Sequence, residues 1–566
     1  MSEFGNPTTA LALVGLAMAF AIERSSASRT KSNDLWHGRN QSEDNNDLSH
    51  EAKSSIPSID DISSSGDGSG SQGSHLYFQL RYLLVWTFAL LAECVQDIYI
   101  IQAFRSYGMP STEVLSLLLV FVISLLVFGS LACCSGDKIG RKNVCLIYCC
   151  VLFMSTLTKL VPNYNILLLS CVLSGISSAL LVTSFESWMI CEHKRNNFDN
   201  FLLSNIASNI SIACGFTFIG AIYIANSVVG YGGYAALFTI AFFLSVLTML
   251  SVSLVLDENL TDFNSKMFNV VSRGYATINF HNNLFLLGLS QSMYDASLFL
   301  FALPTISMYL FSANHPNSDN EQFMSYKSRS CMMVVFIISM IVGSSLFKLL
   351  CNSREVLYKV PLFVHLVSTG LMALITLGCM AGYALTESLL FYLLSVSSGM
   401  LYPAYSVIKA EKVPEEVRNT IMVLCRAPFN CFLLLVVLLV YLIVENISPN
   451  SYSQLHAFLV SYEARALMLV FNTCLQAGSF VLYRTFYART KKTEETYENE
   501  SANTVLRVPL SDGAQSRVRL DSLRHASFTD TRNRVDSLTG MGSIKIGRQS
   551  SELNMYLREW EAENGV

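Results

Sequence analysis

Long, mainly apolar stretches separated by short polar turns recur from residue 80 to residue 483. A helix needs roughly 17 to 25 such residues to cross about 30 Å of hydrocarbon at about 1.5 Å per residue. Runs of that size occupy residues 80–104, 113–134, 144–161, 165–190, 201–226 and 231–256. A polar stretch over 257–281 follows, and then come 284–311, 331–350, 357–380, 388–408, 420–444 and 466–483. The pattern predicts membrane helices in two sets of six. Ahead of them lies a shorter apolar run, 9–22, with no basic residue before it and Arg24, Arg29 and Lys31 behind it. A secretory signal has the opposite charge order, so this run predicts an extra, uncleaved N-terminal helix whose own N-terminus is outside. Its length also suits an interfacial helix or a cleaved signal.

Basic residues orient the helices. Lys138, Arg141 and Lys142, then Lys194 and Arg195, Lys266 and Arg273, Lys348, Arg354 and Lys359, and Lys409, Lys412 and Arg418 fall in alternate loops, whereas the intervening loops hold only Arg105, Lys327 and Arg329. Positive charge is retained in the cytoplasm, which puts the first set inside. The chain then divides into 1–30 with the extra helix, a linker over 31–76, a six-helix half over 77–256, a central cytoplasmic loop over 257–283, a second six-helix half over 284–487, and a tail over 488–566. A parallel six-plus-six repeat is the plan of major facilitators, with the solute path between the halves; hydropathy alone also permits an unrelated helical bundle. The predicted class is an all-α membrane protein of the major facilitator fold with one extra N-terminal membrane helix.

The linker and tail lack any apolar period, so they are expected to be disordered and cytoplasmic. Three Arg-x-x-Ser units in the tail make Ser522, Ser527 and Ser537 candidate kinase substrates. A merely solvated tail reads the same way.

Composition agrees with a lipid environment: 52% of residues are hydrophobic and 14% charged, against about a quarter charged in an average soluble domain. A net charge of -4 gives no reason to expect nucleic acid as a partner. The cysteines sit in or beside apolar runs and read as small packing residues. No phosphate-binding glycine loop, zinc spacing or nucleophile elbow is legible, so no enzyme, cofactor or metal site is expected, and primary pumping has no visible energy source.

Charges inside the apolar runs are costly, about 2.5 to 3.5 kcal/mol each on insertion scales, so each needs a partner or a watery cavity. Glu93 and Asp97 lie four apart on one face of the first core helix, and Asp295 lies near the middle of the seventh. Aligning the halves sets Glu93-x-x-Gln96-Asp97 against Gln291-x-x-Tyr294-Asp295. In a major facilitator these helices are pseudo-equivalent and line the cavity. That makes Gln96, Gln291 and Tyr294 candidate substrate ligands, and Glu93, Asp97 and Asp295 candidate proton-coupling groups. Structural polar contacts between helices are the plainer alternative. Arg426, about two turns into the eleventh helix with Asn430 one turn on, is the first candidate ligand for an oxyanion, since a guanidinium stays protonated and presents a fork of donors. Lys159, at the outer end of the third helix, is expected to snorkel to the headgroups. Glu186 is expected to pair with the Arg141 and Lys142 turn as a gate latch. His365 reads as a packed polar residue, and Pro304, Pro403 and Pro428 mark bend points.

Asp137-Lys138-Ile139-Gly140-Arg141-Lys142 forms a tight cytoplasmic turn, with Gly140 free to adopt positive φ and Asp137 facing Arg141 and Lys142 across the mouth. It resembles the second half of the major facilitator signature Gly-x-Leu-x-Asp-x-x-Gly-Arg-Lys; Cys133 and Ser135 stand where its Gly and Leu belong. Five further stretches are similar to the eukaryotic molybdate-anion transporters: Leu157-Thr158-Lys159-Leu160, Phe185-Glu186-Ser187-Trp188, Gln291-x-x-Tyr294-Asp295, Tyr402-Pro403, and Arg426-Ala427-Pro428-Phe429-Asn430. The resemblance implies alternating-access transport of a small oxyanion, molybdate, in the plasma membrane, with lipid and protons as further partners. The sequence departs from the family at Ser170-Cys171, where a Gly-Arg pair is usual, and at Asp97-Ile98, where a small residue and Pro are expected. Three acids then face one sure cation, Arg426. Either the carboxyls are protonated and couple anion uptake to protons, or the solute is neutral or cationic. A non-transporting sensor or scaffold is the second class.

Overall fold

The computed structural model describes residues 67–198, 200–258, 267–280, 282–311, 319–351, 353–381, 384–446 and 462–505. All regular structure among them is helical. The chain runs through α1 (Asp67–Asp97), α2 (Ile100–Ser106), α3 (Ser111–Ser124), a π-helical turn (Leu125–Gly129), α4 (Ser130–Ile139), α5 (Arg141–Lys159) and α6 (Tyr164–Arg195). It continues through α7 (Asn200–Val255), α8 (Met267–Phe280), α9 (Asn282–Phe311), α10 (Asp319–Leu350), α11 (Arg354–Ala381), α12 (Ala384–Lys412), α13 (Arg418–Asn446) and α14 (Tyr462–Val505). Eleven of these segments are long and apolar enough to cross a membrane. The longest, Leu202–Val255, is interrupted by Gly233 at φ 71°, a backbone that a residue without Cβ adopts at little cost.

The element ends differ from the sequence expectation in four places. The first core helix begins at Asp67, so residues 67–76 belong to α1 and not to an irregular linker. It also stops at Asp97, with Ile98 and Tyr99 in a turn before α2, where the apolar run predicted one helix through residue 104. The central loop contains α8, whose Ala276, Thr277 and Ile278 are buried while Tyr275 is exposed. So short a buried stretch, with Thr277 among it, carries no long apolar run. At the other end α14 continues to Val505, and over the turns before Thr496 its charges find partners: Glu494 lies 3.3 Å from Arg354 and 3.7 Å from Lys412, and Lys491 pairs with Glu495. The apolar run 9–22, most of the linker, and Ser522, Ser527 and Ser537 lie outside the described residues.

The packing is that of a bundle turned toward lipid. Large apolar side chains such as Phe243, Leu254, Phe363 and Leu467 point outward, while serines and threonines populate the interior and return their hydroxyl protons to carbonyls one turn back, as Ser208 does to Ser204. α1 lies along α7, α5 along α6, α9 along α14, and α12 between α10 and α11. Where α10 meets α12, a Cβ at Gly343 or Gly399 would strike the facing backbone at Val396 or Met340, so the two helices touch at a distance only glycine permits. The helices before Asp257 meet those after it along two seams: α13 against α3 and α4, and α10 with α12 against α7.

Candidate functional site

Two groups of charge lie inside the helical bundle, and neither is composed as the sequence suggested. The first is built at the broken end of α1. Glu93 is 7% exposed; its Oε2 accepts from the Ser178 hydroxyl at 3.2 Å and its Oε1 is buried without a partner. Gln96 is buried and accepts a 2.8 Å bond from the Lys159 ammonium, itself only 2% exposed. Lys159 therefore turns inward and does not snorkel. Its stem is the last residue of α5, whose carbonyl is held by the Tyr107 hydroxyl at 3.0 Å, and an ammonium this deep finds Gln96 closer than the headgroups. Its charge acts on Glu93, on Asp97 and on Cys171 of α6. Asp97, by contrast, is exposed, and among the described residues it makes no hydrogen bond or ion pair.

The second group straddles the seam between the two parts of the chain. Asp295 on α9 is half-buried and accepts from the Tyr402 hydroxyl of α12 at 3.2 Å. Ser406, one turn along α12, donates to Glu186 of α6 at 2.6 Å. Lys409, on the same face, is 3% exposed and acts electrostatically on both Glu186 and Asp295. Arg426 on α13 completes the group: its charge reaches Glu186, Asp295, Tyr402 and Cys133, on four different elements. It is half-buried, and among the described residues no acceptor or carboxylate bonds its guanidinium. Asn430 follows one turn later and is also half-buried.

Lys409 was read as a loop residue, and it is not one. Its signal was nonetheless present, since Tyr402, Ser406 and Lys409 are spaced four and then three apart, one face of a helix. Glu186 is likewise displaced from its expected partners; it bonds Ser406, and Arg141 and Lys142 are engaged elsewhere. Tyr294 and Gln291 are both buried, and the Tyr294 hydroxyl is shared with Ser398 at 2.8 Å. His365 is fully buried, bonded through Nε2 to Tyr405 at 2.7 Å and through Nδ1 to Ser479 at 3.3 Å, a packed polar residue.

At one end of the bundle the signature turn joins the two parts of the chain. Gly140 has φ 104°, and the Glu258 carboxylate accepts from the amides of Lys142 and Asn143 in the first turn of α5. Asp137 does not pair directly with Arg141 and Lys142. Its Oδ1 accepts from the Asn419 amide at 3.1 Å, and its Oδ2 from the Thr420 amide at 3.0 Å and hydroxyl at 2.9 Å. These are orphan donors at the start of α13, where a carboxylate also meets the positive end of the helix dipole. Arg141 is 1% exposed and donates to Ser187 at 3.2 Å and to the Glu415 carbonyl at 2.8 Å, while Lys194 pairs with the Glu415 carboxylate at 3.4 Å. α8 seats against these contacts, since a Cβ on Gly274 would meet Thr420.

Comparisons with known proteins agree with this architecture. The family described as "Sugar transporters, 12 TM" matches residues 56–386. A molybdate-anion transporter of Xenopus tropicalis is 25% identical over 373 residues, 64% of this chain and 79% of the relative. One from Danio rerio is 31% identical over 116 residues, 20% of this chain and 24% of the relative. Among solved structures, the human organic anion transporter MFSD10 superposes with a TM-score of 0.54 at 13% identity, covering 72% of this chain and 99% of that one. The proton:xylose symporter XylE gives 0.56 at 10% identity, covering 74% and 96%.

Proposed function

The chain belongs to the major facilitator family that holds the molybdate-anion transporters and is a multi-pass membrane transporter, not an enzyme; from that premise we propose that it carries a small oxyanion, molybdate, by alternating access. The observation that carries the proposal is Arg426. A guanidinium reaching groups on four elements, with its donors open among the described residues, is a preformed receptor for a tetrahedral oxyanion. Asn430 supplies a further donor one turn away, and Lys409 a second positive charge.

Buried Lys159 and Lys409 also soften the charge objection. Glu93, Asp97, Asp295 and Glu186 now stand with Lys159, Lys409 and Arg426, and no longer three acids with one cation. Gln291 and Tyr294, being buried, support the site from behind, while Gln96 contributes through Lys159. The moving parts are two six-helix halves divided after Asp257, α7 counting as two spans broken at Gly233, with the basic turns inside and the extra N-terminal helix delivering the linker to the cytoplasm. Asp137, Gly140, Arg141 and Lys142 hold the cytoplasmic ends together, and Glu186 through Ser406 joins the two parts deeper in the membrane. Glu93, Asp97 and Asp295 couple the cycle to protons. The membrane is the plasma membrane.

Cells expressing the chain should accumulate molybdate above untransfected controls, and Arg426→Ala at equal surface abundance should lose most of that uptake. Unchanged uptake in the variant removes Arg426 from the site. Wild-type cells that take up an uncharged solute and no oxyanion would reassign the substrate.

A further inference from the structure

The charge group at the end of α1 is more than a proton site. Lys159 is held by a single bond from its ammonium to Gln96, which leaves two of its three N–H donors for another ligand. Asp97 is exposed and unbonded among the described residues, although Lys159 acts on it electrostatically. The separation therefore exceeds a contact ion pair: Asp97 is exposed, and the buried Lys159 keeps two donors unbonded. The helix breaks at this point, with Asp97 the last residue of α1 and Ile98 and Tyr99 in a turn. Asp97 is also the last residue of the membrane-crossing stretch Ser74–Asp97, so the pair lies at one end of that span. The Glu93 Oε1, buried and without a partner, lies one turn back.

We propose that Lys159, oriented by Gln96, is a second anion-binding residue of the transport path, and that the substrate oxyanion and the ionised Asp97 compete for its ammonium. The inference rests on the anion-transport reading. When Asp97 is ionised, its negative charge offsets Lys159 and repels an entering oxyanion. When it takes up a proton, it becomes a neutral donor, and the carboxyl O–H and the Lys159 ammonium then both face the anion as hydrogen-bond donors. Anion and proton are thereby bound together, since the proton removes the repelling charge and supplies a donor. The groups facing this pair are Glu93 and Cys94 on α1, Tyr148 on α5 and Cys171 on α6. Among these Lys159 supplies the positive charge and Glu93 a second carboxyl, whose Oε2 is already bonded to Ser178. Arg426 belongs to the other group, on α13, so the path has two stations in series.

The test is equilibrium binding of molybdate to the purified full chain at pH 6 and pH 8, for the wild type, Lys159→Gln, Lys159→Arg and Asp97→Asn. Wild-type affinity should be tighter at pH 6. Asp97→Asn should abolish the difference and bind at pH 8 as the wild type does at pH 6. Lys159→Gln should weaken binding at pH 6 by about tenfold or more and flatten the pH dependence, about what the loss of one charge-assisted hydrogen bond costs. Lys159→Arg, which keeps the charge, should retain the pH dependence and so separates loss of charge from loss of fold. Wild-type affinity and pH dependence in Lys159→Gln overturn the second station and leave the anion reading intact. Absence of molybdate binding by the wild type at both pH values overturns the reading and the station together.

Discussion

Asp137 places three hydrogen bonds on the first turn of α13, and the two amides concerned have no other acceptor in their own helix. Bonds to a charged acceptor contribute about 1.5 to 3 kcal/mol each, so if this turn is the latch proposed above, the carboxylate weights it strongly toward closure. Cys134, 6% exposed and on the same helix as Asp137, reports on that closure. We expect Asp137→Ala to raise maleimide modification of Cys134, read by mass spectrometry, by about tenfold, the change that about 1.4 kcal/mol produces; an unchanged rate removes Asp137 from the latch. Gly140 tests the turn itself. A Cβ there would sit at φ 104° against the Glu258 carboxylate, and strain of this kind costs about 1 to 3 kcal/mol. Gly140→Ala should therefore lower the unfolding temperature of the purified protein and reduce flux. The legible residues at this scale were those with a local signature: Asp137 and Gly140 stood out by spacing, and His365 by isolation. Lys159 and Lys409 were misread because a lysine near the end of an apolar run looks the same whether it snorkels outward or turns inward, and only a partner on another helix decides. For Lys159 that partner is Gln96, and Lys409 is drawn toward the charge of Glu186; both are distant in sequence and invisible to a local reading.

Elements were legible where the signal was a long apolar run and obscure where it was a face. The runs predicted the spans within a few residues at most ends, for example α9, α11 and α13. α8 was missed because its buried side is carried by only a few residues, among them Ala276 and Ile278, which a hydropathy window averages with polar neighbours. Its position gives it consequence. Gly274 touches Thr420, whose amide and hydroxyl both bond Asp137, so α8 buttresses the latch. A leucine at Gly274 has no room, and overpacking costs about 1 to 3 kcal/mol. Gly274→Leu should increase Cys134 modification as Asp137→Ala does, whereas Tyr275→Leu on the exposed side of α8 should not. Equal labelling in both variants would show that α8 is a passive connector. The break after Asp97 was unreadable for another reason: Ile98 is apolar and carries no breaker, so the turn is imposed by packing and not by propensity.

Over the whole molecule, the helices before and after Asp257 touch along a seam that holds the Asp137 bonds, and the Glu186 to Ser406 bond links α6 to α12 besides. Alternating access requires these contacts to break and re-form, and their mixed polar character suits that, since water can replace each bond lost. The linker and tail should then be dispensable for flux. Deleting residues 31–66 together with those after Val505 should leave most of the transport rate, and its complete loss in correctly inserted protein would favour a sensor over a carrier. The most direct measurement reconstitutes the purified full chain as the sole protein in liposomes and follows molybdate entry with and without an inward proton gradient. Entry above protein-free liposomes, accelerated by the gradient and absent in Arg426→Ala, is the expected result. Entry no faster than in protein-free liposomes, from protein that is folded and inserted, would contradict the assignment of an oxyanion carrier.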